Sequence, residues 1–185
     1  MDYNIDNMDY NIDNMNYNID NKLHHIIQSK SFKQSISFGI ISSAMTALGI
    51  SLGVWSSSGN LKSIVASIIG LSISNSLADA FSMYMADKAS SKHVNADKSA
   101  LFIAFIEFIL PYLFLIPFLV FKLNTAVSIN SVIGIILVAL TGYYISVINN
   151  KSRIQTIEDI TLYILITLFI IILTYIGGKT VNKII

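Results

Sequence analysis

The chain has 185 residues, 54% of them hydrophobic and 12% charged, with a formal net charge of +1 and no cysteine. A soluble domain is about a quarter charged, so this composition belongs to a membrane protein, and the length to a single domain. The near-zero charge gives no bulk attraction to nucleic acid, and the lack of cysteine excludes a disulfide framework, a zinc–thiolate site and a thiol nucleophile.

Residues 1–21 are three copies of one heptamer: MDYNIDN, MDYNIDN and MNYNIDN. Met and Ile at positions 1, 5, 8, 12, 15 and 19 follow a/d heptad spacing. Met1, Tyr3 and Ile5, however, also alternate as a strand would, and Asn and Asp are poor helix formers. The expectation is a low-complexity, disordered tail over residues 1–34, with weak self-association as the alternative. Asp2, Asp6, Asp9, Asp13 and Asp20 lack the Gly and terminal Glu of a calcium loop. No basic start followed by an apolar core and cleavage site is present, so no cleavable signal peptide is expected. His24 and His25 read as interfacial residues rather than metal ligands.

Five apolar stretches follow, over Ile36–Trp55, Ser63–Ala86, Ala100–Phe121, Val127–Ile148 and Ile160–Ile176. Roughly 20 apolar residues cross the hydrocarbon core as a helix, whereas barrel strands are shorter and alternate. The reading is an all-α membrane protein with a five-helix domain over residues 35–185, the fifth apolar stretch being the shortest. With the N-terminus inside, Lys22, Lys30, Lys33, Lys88, Lys92, Lys98, Lys151 and Arg153 lie on the inner side. Lys62, Lys122, Lys179 and Lys183 lie outside. Positive residues favour the cytosolic side, so the N-terminus is expected in the cytosol and the C-terminus opposite.

Ser35, Gly39, Ser42, Thr46, Gly49 and Gly53 recur at three- and four-residue intervals along the first helix. Such a small-residue stripe lets two backbones approach closely in lipid. It predicts either a homodimer through helix one or packing against another helix of the same chain.

The second helix places Ser72, Asn75, Asp79 and Ser82 at the same spacing. A charged aspartate at mid-membrane costs about 2.5–3.5 kcal/mol on insertion scales. Asp79 therefore reads as a cation or proton site, or as a structural hydrogen-bond partner. Met83 lies one turn further and Asp87 one turn beyond that. Oxygen and thioether donors together suit iron(II) or manganese(II) better than sodium, although methionine in a membrane helix more often simply packs. In the third helix Glu107 precedes Pro111 by one turn, and Pro111 frees the Glu107 carbonyl. A broken helix beside a carboxylate reads as an ion or proton route, or as a kink that shapes the bundle. Phosphate-binding glycine loops, GxSxG, HExxH and basic–aromatic surfaces are all missing. Neither enzymatic activity nor a permanently bound cofactor is expected.

FGIISSAMTALG (Phe38–Gly49) resembles the first-helix motif of the vacuolar iron transporter family, approximately DGIISTFAVVAG. IIGLSISNSLADAFSMYMADKASSK (Ile68–Lys92) is similar to that family's second helix, with its LADGFSM core. Residues Leu137–Val181 resemble its last two helices, including the Tyr175-x-x-Gly178 ending. The resemblance implies five helices, a cytosolic N-terminus and a dimer through helix one. It implies movement of iron(II) or manganese(II) out of the cytosol, often against protons, in a vacuole-like or other intracellular membrane. It places Met83 on the family's metal-coordinating methionine and gives Asp79 a place in the signature without a role. Two departures stand out. Phe38 replaces the helix-one aspartate that lines the family's metal path. The link between helices two and three, with Asp87, His93 and Asp97, is short where several members carry a Glu-rich cytosolic domain. The expected metal-site residues are Met83, Asp79, Asp87 and Glu107, with the lipid bilayer, divalent metal ions and a second copy as partners. The alternatives are a transport-inactive scaffold or regulator that retains the fold, and a small ion channel.

Overall fold

The computed structural model describes Met15, Tyr17 and residues 30–89 and 96–184. The rest of the heptamer tail, His24, His25 and His93 lie outside the described residues. The described chain forms α1 (Lys30–Ser58), α2 (Leu61–Ala89), α3 (Ala96–Val120), α4 (Leu123–Ile148) and α5 (Arg153–Ile184). All five are long and apolar enough to cross a membrane.

Four of the five apolar stretches sit wholly inside a longer helix, and the third runs one residue, Phe121, past the end of α3. Hydropathy marks only what contacts hydrocarbon, whereas a helix satisfies its own backbone and continues into the polar interface. Thus α1 begins at Lys30, within the stretch assigned to the tail. The fifth stretch, the shortest of the apolar runs, lies in the longest of the described helices, α5, at 32 residues. Its start is fixed by a reciprocal cap: the Ser152 N–H donates to Gln155 Oε1 (3.0 Å) and the Gln155 N–H to Ser152 Oγ (3.4 Å). Gly59, at φ +60°, closes α1 by donating its N–H to the Trp55 carbonyl at 3.1 Å, a left-handed cap that glycine adopts without a Cβ clash.

Helix α1 is the centre of the bundle and touches all four other helices; α2 also packs on α3, α3 on α4, and α4 on α5. Phe32 meets Phe102 edge-on at 4.5 Å. At the other end of α1, Trp55 stacks on Tyr175 at 5.8 Å and donates its Nε1–H to Asn124 at 3.0 Å. These pairs put the starts of α1, α3 and α5 at one end of the bundle, together with the ends of α2 and α4. Lys33, Lys88, Lys98, Lys151 and Arg153 are at that end; Lys62, Lys122, Lys179 and Lys183 are at the other.

The small residues of α1 are largely taken up by its own chain. A Cβ on Gly39 would stand 3.0 Å from Ile106 Cγ2, and one on Gly49 3.5 Å from Thr174 Cγ2. Gly178 of α5 lies directly against the Gly53 carbonyl and Ser56. Packing against another helix of the same chain, one of the two readings of the stripe, therefore holds for Gly39 and Gly49, while a Cβ on Gly53 would meet nothing within 4 Å. In contrast, α5 buries only Thr167 and Gly178, and it turns Leu165, Phe169, Ile172 and Leu173 outward. Lipid tails are as apolar as these side chains, so close packing rather than burial seats α5.

Beyond the middle of α1 the interior is mainly apolar, with Ser51 and Asn130 as buried polar exceptions. Ala44, Ala47, Leu48, Phe114 and Val138 form one buried cluster. Leu52, Ile64, Ile68, Phe118 and Val127 belong to a second. Helix α3 runs unbroken through Pro111 and Pro117, both buried, so the expected break is absent. Asn130 of α4 supports the proline-containing stretch by donating its Nδ2–H to the Phe114 carbonyl at 2.8 Å.

Candidate cation site

Three helices bring polar groups together near the middle of the bundle. The Ser42 hydroxyl of α1 donates to Asp79 Oδ2 of α2 at 3.0 Å. Glu107 of α3 is only 1% exposed, and Ser42 and Asp79 are the polar groups that face it. Both Glu107 carboxylate oxygens are buried without a well-formed hydrogen bond. Gly39, one turn before Ser42, makes this approach possible: its missing Cβ would lie 3.7 Å from Glu107 Cγ. The Ser42 carbonyl in turn accepts the Thr46 hydroxyl, which ties the next turn of α1 to this layer.

Among the described residues no basic side chain answers these carboxylates. Among the described residues the salt bridge is elsewhere, between Lys151 and Asp159 at 2.6 Å. Charges in a low-dielectric interior need an opposite charge or a proton. Two carboxylates and a hydroxyl make an oxygen donor set of the kind that suits magnesium, calcium or manganese. A divalent cation would neutralise both carboxylates at once.

A groove of about 920 Å³ leads toward this layer. Its polar lining is Lys33, Gln34, Ser37, Ser42 and Asn149; Phe38 and Ile41 of α1 and Ile145 and Ile148 of α4 complete it. Because Lys33 stands in the first turns of α1 and Asn149 caps α4, the groove reaches the bundle end and has Ser42 at its inner limit. Phe38, 44% exposed, lies on its wall.

Of the four residues expected at the site, the structure brings two together, Asp79 and Glu107. Met83 and Asp87 follow Asp79 at one-turn intervals along α2 and are half-buried. No group of three or more His, Asp or Glu able to hold a metal occurs among the described residues. Ser82, placed on the Asp79 face by spacing, is exposed and bonds to the Ala78 carbonyl of its own helix. Sequence reasoning noticed Ser42 only as a small residue in a stripe and missed its bond to Asp79. The available signal was a hydroxyl amid glycines, on the helix next in order to the buried aspartate. It also missed the corner at which Asp159 accepts from both Lys151 and the buried Ser146 hydroxyl (2.8 Å).

Five apolar helices enclosing a few polar groups define the class: a multi-pass helical membrane protein. Comparison with protein-family models, with curated proteins and with solved structures found no match to this chain.

Proposed function

We propose that the protein carries a divalent metal ion, iron(II) or manganese(II), out of the cytosol, in exchange for protons and as a homodimer. The observation that carries this reading is the meeting of Asp79 and Glu107 at Ser42 with no basic partner among the described residues. The motif resemblance of the first and second helices supports the choice of metal and direction. Phe38 lacks the carboxylate expected at its position, but its neighbour Gly39 lies against Ile106 and Glu107. A carboxylate is thus supplied to the adjacent layer by α3. The exposed Phe38 and the open side of Gly53 are the portions of the α1 stripe left for a second copy, since Gly39 and Gly49 pack within the chain.

The test is flux into liposomes holding a metal-quenched dye, across iron, manganese and zinc. Flux of one or more of these ions, lost in Asp79→Asn and Glu107→Gln, is the expected result. Protein correctly inserted and folded but without flux for any ion would sink the transport reading.

A transport-inactive scaffold or regulator is the second reading, and the two-carboxylate site with no third acidic or histidine ligand among the described residues favours it. It predicts no flux in the natural chain and a gain of flux in Phe38→Asp.

A further inference from the structure

We infer that the Ser42–Asp79–Glu107 site is reached by water and ions from one end of the bundle only, where α1 begins, and that Ser42 is the point of contact. The cation role in this inference rests on the proposed function; the access route rests on geometry alone. Ser42 belongs to two environments at once: it lines the groove and it holds Asp79. Glu107 stands behind it, closed off from the surface. The groove has polar groups along its length, with Lys33 and Asn149 at its mouth and Ser37 midway, so it can hold water where a purely apolar cavity stays dry.

The opposite half offers no such route among the described residues. Just past Ser42 along α1, Ala44, Ala47 and Leu48 are fully buried against Phe114 and Val138. Gly134 carries no side chain because Leu48 occupies that space. The next layer, with Leu52, Ile64 and Phe118, is equally closed. An ion leaving by that end would have to separate both of these packed apolar layers, so the structure is the state open toward the start of α1. The Ser42 hydroxyl donates to Asp79 in this state. To ligate a cation it must turn its lone pairs toward the groove and release that bond.

The chain has no cysteine, so single cysteines can report access without background. Ser37→Cys, Ser42→Cys and Ala47→Cys would be reconstituted in vesicles and treated with a membrane-impermeant thiol reagent from either side. An N-terminal tag identifies the side. Water-exposed thiols react and buried ones stay inert, so Ser37→Cys and Ser42→Cys should react about tenfold or more faster from the N-terminal side, with Ala47→Cys inert from both. Manganese(II) should slow labelling at Ser42→Cys and leave Ser37→Cys unchanged. Labelling of Ser42→Cys from the far side, its failure to react while Ser37→Cys does, or equal labelling of Ala47→Cys would each overturn one-sided access. One-sided labelling without manganese protection would uphold the access geometry and remove the cation role. Circular dichroism and gel filtration of each variant confirm that the bundle is intact.

Discussion

At Glu107 a full carboxylate is held inside the bundle without a good hydrogen bond. Stability alone does not favour such a group, since replacing a poorly satisfied buried charge is often neutral or stabilising. Glu107→Gln should therefore leave the thermal midpoint unchanged or raised while flux falls by roughly tenfold or more, the equivalent of about 1.4 kcal/mol. A midpoint that drops with flux retained would make the residue structural. Gly39→Ala tests the same site from the other side. The added methyl meets Ile106 at 3.0–3.2 Å, and overpacking of this kind costs about 1–3 kcal/mol. Reduced flux should accompany a modest loss of stability, read by thermal unfolding in detergent. At the α4–α5 corner, the hydrogen bond to Asp159 holds the Lys151 ammonium above its ordinary 10.5. On the alkaline side the stabilisation from this pair is fully present up to that ordinary value and is lost as pH rises through the raised one, while protonation of the Asp159 carboxylate ends it in acid. Thermal stability should show no step from this pair between about pH 6 and 9, a range far from any ordinary lysine titration. Asp159→Asn should return Lys151 toward 10.5, read by NMR of labelled lysine.

Helix contacts here depend on where a side chain is missing. Gly178 sits against the Gly53 carbonyl and Ser56, and Gly134 against the end of the Leu48 side chain. A methyl at Gly178 meets backbone, which cannot yield without moving α1 or α5. A methyl at Gly134 meets flexible side-chain carbons, which can turn away. Gly178→Ala should cost about 3 kcal/mol or prevent insertion of α5, and Gly134→Ala about 1 kcal/mol. Equal effects in unfolding assays would contradict this ranking. The helices themselves were legible in the apolar runs, but their ends were not. Ser152 and Gln155 extend α5 well before its apolar stretch, and capping side chains leave no trace in hydropathy.

For the whole molecule, the described packing is made by residues 30–184, with α1 at its centre. Deleting residues 1–21 should leave the thermal midpoint of the bundle unchanged, and a large fall would assign the heptamers a structural role. The centrality of α1 was only half legible. Its small residues announced close approach without saying to what, because a glycine face fits any backbone. Asp79 and Glu107 were singled out separately, each as an expensive group in an apolar helix. That they share one layer with Ser42 followed only from the way α1, α2 and α3 pack.

What the sequence determined by itself is the number of spans and the kinds of polar group they carry. Bilayer thickness converts directly into an apolar run, and the cost of a buried charge marks a residue wherever it is. Both are properties of a residue and its local segment. Tertiary structure alone decided that Asp79 and Glu107 meet at one layer, that Ser42 bonds to Asp79 across 37 residues, and that a groove ends there. Those outcomes depend on which helix faces meet and at what height. Close packing selects among many such arrangements, and short-range sequence spacing does not encode the choice.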